Sequence, residues 1–275
     1  MTTIEFPIQI ITPNRIYDPV GKCIYCPDPK GKLTDEHVVP FGLAADSVVL
    51  PLSSCQKCAK ITGKIEQHCL RGMFGNFRIA IGAPTRRPKE RPKTISVRAG
   101  RLSDDRSRVD DIKTLEIDPT DIIMLPSFTF PAAGILEGRD PAADIEYRVN
   151  IHRMDDRAIE FCRQHGAIES TLINPMAFLR MAAKIAHSYA VAELGLGSFR
   201  PFLLDLILCR TQELNVGLRW IGCEPAAPPP AADLFSLSYN KFILASGERF
   251  VIVHLRLFPF FNTPLYHVVV GEWQD

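Results

Sequence analysis

Cys23 and Cys26 form one Cys-x-x-Cys pair, Cys55 and Cys58 form a second, and Glu36-His37-Val38-Val39-Pro40 lies between them. Four thiolates in two such pairs suit a tetrahedral Zn²⁺ cage, because each pair makes one tight knuckle and two knuckles close a four-coordinate site. A single pair would equally suit dithiol redox chemistry. That chemistry wants the motif at the start of a helix, and here Pro27 and Pro29 follow the first pair. His37 has Asp35 and Glu36 beside it in sequence. A histidine held by a carboxylate works as a general base near neutral pH. A carboxylate is also a hard oxygen ligand for Mg²⁺ or Mn²⁺. Taken alone, the stretch from Thr34 to Pro40 would read as an exposed acidic turn; the flanking knuckles give it a rigid mount.

The rest of the composition bounds what these residues serve. The chain has 275 residues, 46% hydrophobic and 23% charged, with a net charge of +1. This is the profile of a globular protein with a sizeable core. The charge excludes a uniformly basic nucleic-acid binder, so any such contact must come from a local cluster. Met1 to Pro7 shows neither a basic leader nor a long apolar run, and no apolar stretch is long enough to span a bilayer. The expected setting is cytoplasmic, with no membrane contact. There, paired cysteines read as metal ligands rather than disulfides. Cys69, Cys162, Cys209 and Cys223 are scattered and read as small core hydrophobes.

The elements that must position the motif can be sketched from pattern. After an apolar run at Ile8–Ile11 and a turn at 27–31, Lys32–Val39 reads as a strand broken by Pro40 and Gly42. Ser47–Leu52 reads as the return strand. Cys58 to Arg71 reads as a helix, with Ile61, Ile65 and Cys69 at helical spacing. Three prolines and five basic residues over 83–93 mark a boundary. The expected division is a zinc-bearing module over 1–82 and a larger domain over 83–275. In the second part, Thr94–Arg98 and Lys113–Ile117 read as strands. Ile145, Tyr147, Val149 and Ile151 alternate with polar residues as the buried face of a strand. Asp155–Gln164 reads as a helix ending at Gly166. Asn174-Pro175 caps a long helix that stops near Gly195. A proline-alanine loop follows at 225–232. Lys241–Ala245, Glu248–Phe258 and Leu265–Trp273 read as antiparallel strands. The expected fold class is α+β: a zinc-stapled ββα module, then a mixed α/β region with antiparallel C-terminal strands.

The order Cys-x-x-Cys, Glu-His-x-x-Pro, Cys-x-x-Cys opening a helix resembles the zinc-bearing branch of the HNH (ββα-metal) endonucleases, over roughly residues 20–72. The resemblance implies a structural zinc on Cys23, Cys26, Cys55 and Cys58, distinct from a catalytic Mg²⁺ or Mn²⁺. It implies His37 as the general base that activates water, and Glu36 as a ligand of the catalytic ion. Two positions depart from the family pattern. Ala59 stands directly after the last cysteine, where Asn or His would be the second ligand. Leu50-Pro51-Leu52-Ser53-Ser54 carries no middle Asn. Glu66, two helical turns beyond Ala59 on the same face, is the candidate replacement. Regular strand geometry would point Glu36 and His37 to opposite faces, so both serve one phosphate only if the backbone is irregular there. Asp35 is the fallback ligand or the residue that orients His37.

Arg86, Arg87, Lys89, Arg91 and Lys93 form a local basic segment suited to a phosphate backbone, or equally to a solvated linker. His152, His165, His187, His254 and His267 have no evident sequence partner and read as packing or surface histidines. The expected function is metal-dependent endonuclease activity on nucleic acid, DNA ahead of RNA. The rival is a zinc module that has lost catalysis and binds nucleic acid or protein.

Overall fold

The computed structural model describes residues 14–27, 29, 31–105, 107–153, 156–168, 173–224 and 226–274. The run Ile8–Ile11 lies outside the described residues. The chain opens with β1 (Arg15–Ile16), β2 (Leu33–His37), a one-turn helix α1 (Phe41–Ala44), β3 (Val48–Cys55) and α2 (Gln56–His68). β3 is central, parallel to β1 and antiparallel to β2. The expected strand-loop-strand-helix order is present, and the loop holds a short helix because Pro40 fits just ahead of a helical first turn. Cys55 is extended and forms the N-cap of α2. The second cysteine pair therefore straddles a strand-to-helix junction.

α2 ends before the expected Arg71. A π-type turn over Cys69–Met73 follows, with Phe74 N–H donating to the Cys69 carbonyl at 2.9 Å, and then α3 (Gly75–Ala80). Cys69, Leu70, Met73, Phe74 and Phe77 are all buried, so the core-facing side continues through the wider turn into α3. Arg78 on α3 donates to the carbonyls of Gly42, Leu70 and Pro84 at 2.6, 2.9 and 3.0 Å. One guanidinium thus ties α1, the π-type turn and the start of the basic segment together.

Beyond an irregular stretch come β4 (Ile95–Leu102), β5 (Val109–Ile117), β6 (Met124–Thr129), β7 (Arg148–Arg153), α4 (Arg157–His165) and β8 (Ala167–Ile168). β4 and β5 fall on the two expected strand segments, run longer than expected and pair antiparallel with each other, and Gly166 closes α4 at φ 90°. Asp155 lies outside the described residues. The alternation at β7 runs opposite to expectation: Tyr147, Val149 and Ile151 are exposed. Asn150 and His152 face the partner strand instead, bonding Thr129 Oγ1 and Ser127 Oγ at 2.7 Å each. Paired polar side chains set the register face there.

α5 (Pro175–Leu194) is capped as expected, with the Asn174 side chain accepting from Ala177 N–H and Gly195 ending the helix at φ 89°. It is apolar on nearly its whole circumference. Every residue from Ala177 to Val191 except Arg180 is buried, as a helix enclosed on all sides must be. β9 (Phe199–Pro201), α6 (Leu204–Ile207), α7 (Leu214–Trp220), β10 (Ile221–Cys223), β11 (Phe235–Ile243), β12 (Arg249–Leu257) and β13 (Tyr266–Trp273) complete the chain. The last strands form an antiparallel sheet in the order β10-β13-β12-β11, with β9 on β13. α5 touches β12 and β13 on one side and α2 on the other. The main core accordingly joins Cys23, Leu50 and Phe77 to Phe128, Leu179 and Val253 in one cluster. The fold is α+β, and its principal core is shared across position 83.

Arg78→Ala strips three carbonyls of one charged donor. It is expected to destabilise the protein by about 2–4 kcal/mol, read as a lowered urea midpoint with unchanged m-value.

Candidate metal centre and adjoining cleft

The first cysteine pair reaches the second because residues 20–24 run beside β3. Val20 N–H donates to the Pro51 carbonyl at 3.0 Å and Ile24 N–H to the Ser53 carbonyl at 2.8 Å. This brings the sulfurs of Cys23, Cys26, Cys55 and Cys58 within 4.8 Å of one another. All four are free thiols. The Cys26–Cys55 sulfur separation is 3.7 Å. A tetrahedron with Zn–S bonds of about 2.3 Å has edges of about 3.8 Å, so the cluster has the dimensions of a closed four-sulfur site. The four cysteines could hold a metal such as zinc. Among the described residues they are the one cluster of three or more potential ligands of this kind. Burial pushes the metal-free Cys26 thiol up to about 11 and the Cys58 thiol higher still. A bound metal must displace these protons.

A cleft of about 480 Å³ opens on the other side of β2 and α2, lined among others by Asp35, Glu36, His37, Phe41, Glu66 and Arg86. Ala59, Gly63 and Glu66 present one face of α2 to it. Glu36 and His37 border the same cleft, which regular alternation forbids. The ladder shifts register between Thr34 and Glu36: Thr34 pairs Ser54, but Glu36 pairs Leu50. Leu52 bulges out of β3 at φ 48°, and its N–H donates to Asp35 Oδ1 at 3.0 Å. Asp35 is therefore the anchor of this bulge. It does not orient the histidine.

His37 is oriented by Asp46, whose Oδ1 lies 2.8 Å from His37 Nε2. With Nε2 protonated toward that carboxylate, Nδ1 carries the free lone pair. The imidazole meets the Phe41 ring edge-on at 5.6 Å, and the Arg86 guanidinium sits 5.1 Å over the same ring. Asp46 escapes sequence reasoning because it lies nine residues on, across α1. Its signal is an acidic residue in the loop before the return strand.

The two glutamates meet at a third residue. Lys184 of α5 places its ammonium 2.5 Å from Glu36 Oε1 and 2.8 Å from Glu66 Oε1. It also donates to the His37 carbonyl. Lys184 and Glu36 are buried and Glu66 half-buried. Burial opposes the charge on Lys184, but the two carboxylates outweigh it and raise its pKa. Burial raises the Glu36 pKa; Lys184 opposes that shift and Glu66 adds to it. With both carboxylates ionised, two of them share one ammonium and a unit of negative charge is left at the cleft. The sequence signal for Lys184 was a lone cation in the apolar run Met181-Ala182-Ala183-Lys184-Ile185-Ala186. A lysine inside a fully enclosed helix must have acidic partners.

The basic segment divides. Arg86, Arg87 and Arg91 line a second hollow of about 490 Å³ that shares Phe41, Gly42, Gln67, Leu70 and Arg86 with the cleft; Arg71 and Arg78 line it too. Arg87 pairs with Glu90 at 3.1 Å, and Arg91 donates to the Ala83 carbonyl. Lys89 and Lys93 are exposed and line neither hollow. Of the histidines outside the motif, His187 on α5 is buried with Nε2 at 2.8 Å from the Ile24 carbonyl, inside the first knuckle. No helix among the described residues is long and apolar enough to cross a membrane.

Comparison with protein-family models, with curated proteins and with solved structures finds no match to this chain.

Metal analysis of purified protein is expected to return one tightly held ion per chain at the four sulfurs. Cys58→Ser should lose that ion and lower the melting temperature. Since protons compete for the sulfurs, the ion should also leave progressively as pH falls, followed by a colorimetric zinc indicator.

Proposed function

We propose that this protein is an endonuclease of the HNH type, hydrolysing phosphodiester bonds of nucleic acid in the cleft beside β2. The single observation that carries the reading is the convergence of His37, Glu36, Glu66 and Arg86 on one cleft despite the strand position of the first two. The four sulfurs would hold a structural zinc that clamps β3 and α2, the two elements facing the motif.

The chemistry follows from the residues. His37, held by Asp46 through Nε2, takes a proton at Nδ1 from a water molecule. The water oxygen bonds to phosphorus as the bond to the 3′ oxygen breaks; the electron pair of that bond leaves on the 3′ oxygen, which takes a proton from solvent water. Asp46 keeps the imidazole in one tautomer and stabilises the imidazolium formed. Arg86, stacked on Phe41 next to the imidazole, pairs with a phosphate oxygen. Arg87 and Arg91 extend positive charge along the neighbouring hollow, where the next phosphates of a strand would lie. DNA is the favoured substrate, with RNA the alternative.

A catalytic Mg²⁺ or Mn²⁺ would sit with Glu36 and Glu66, and the donor chemistry suits one. Both carboxylates line the cleft, both offer hard oxygens, and together they keep one negative charge beyond what Lys184 neutralises. Such an ion supplies a Lewis-acid charge for the phosphate and the departing oxygen. Ala59 contributes no ligand, and Glu66 takes that part from two turns further along the cleft-facing side of α2.

The second reading, a zinc module that binds nucleic acid without cutting it, draws on the same lysine, which already engages one oxygen of each glutamate. Cleavage of plasmid and single-stranded DNA with Mg²⁺ or Mn²⁺ separates the two. On the nuclease reading, His37→Ala lowers turnover by about 10²–10⁴-fold with binding intact. Arg86→Ala weakens binding and reduces the salt slope by about 0.9. DNA binding with no cleavage under any divalent ion would establish the binding module instead.

A further inference from the structure

The nuclease reading leaves Lys184 unused, yet it is the residue on which both candidate ligands close. It comes from α5, outside the ββα module, and it is buried. Its other acceptors are the backbone carbonyls of His37 and Val38. This one side chain therefore fixes the spacing of Glu36 and Glu66 and the strand end that carries the base. Its charge also matters. Glu36 and Glu66 with Lys184 sum to −1. A divalent ion brings the group to +1, and one phosphodiester brings it to zero. Without the lysine, the glutamates and the ion would be neutral before any substrate arrived.

We infer that Lys184 is a positioning residue that makes retention of the divalent ion depend on the substrate phosphate. The bare site holds the ion weakly, because the ammonium has already satisfied half of the carboxylate charge. The scissile phosphate supplies the missing anion, so ion and nucleic acid enter as a neutral set. A buried like charge next to an ion is screened little by salt, which gives the effect its size. The inference rests on the nuclease reading.

The test is Mn²⁺ binding to the full, zinc-loaded chain, followed by the electron paramagnetic resonance of free Mn²⁺. A His37→Ala background prevents cleavage and a short DNA duplex serves as probe. With Lys184 present, the duplex should tighten Mn²⁺ binding by about tenfold or more. Lys184→Met should tighten Mn²⁺ binding without DNA by a similar factor and shrink the effect of the duplex. Lys184→Gln, which keeps an N–H donor but no charge, should do the same. A lysine with only a packing role would leave the metal affinity unmoved in variants that retain zinc and native circular dichroism. Unchanged or weaker Mn²⁺ binding in both folded variants overturns the inference. If neither variant folds, the His37→Ala protein decides, and duplex-independent Mn²⁺ affinity overturns it. Failure of the nuclease reading shows separately, as absence of His37-dependent cleavage in the wild-type chain.

Discussion

A lysine ammonium buried between two glutamates is an expensive arrangement. Removing each charge from water costs several kcal/mol before any attraction is gained, and well-packed apolar side chains of similar volume often do as well or better. Here the three groups come from three elements: Glu36 from β2, Glu66 from α2 and Lys184 from α5. Once the ammonium is enclosed, a glutamate that turned away would leave it with one carboxylate in place of two. The strand, the module's helix and the central helix of the second part are thereby locked at one point. That point borders the cleft where His37 sits.

The cysteine cluster acts on the other side of the same hairpin. It joins the end of β3 and the start of α2 to the segment beside β3, and so closes a small layered unit that has little core of its own. His187 reaches into the first knuckle from α5, three residues along from Lys184. One helix therefore supports both the sulfur cluster and the carboxylate pair. This accounts for an α5 buried on nearly all sides, with apolar residues everywhere except at the few positions that reach polar partners.

Between these two supports, the irregular backbone is what brings Glu36 and His37 to one cleft. The bulge at Leu52, held by Asp35, shifts the β2–β3 register just ahead of Glu36. The strand then ends at His37, and the chain turns into α1, whose Phe41 ring meets the imidazole edge-on and carries the Arg86 guanidinium over its face. Asp46, on the far side of α1, completes the histidine's surroundings. A regular hairpin with the same side chains would have put the carboxylate and the imidazole on opposite faces.

Much of the local architecture was legible in the chain itself. The two cysteine pairs, the hairpin and the helix after Cys55 follow from motif spacing and periodicity. So do the cap at Asn174 and the antiparallel C-terminal strands, because each depends on residues within a few positions of one another. The buried face of β7 was misread, since polar pairs across to β6 outweighed the apolar alternation. Tertiary structure alone decided that Asp46 holds His37, that Asp35 holds a bulge, and that Lys184 joins Glu36 to Glu66. Those contacts close over loops or across well over a hundred residues, and their partners are selected by which faces the shared core turns toward each other. No short-range pattern encodes that choice: a lysine in an apolar helix states that it needs an anion, and only the packed fold states which one.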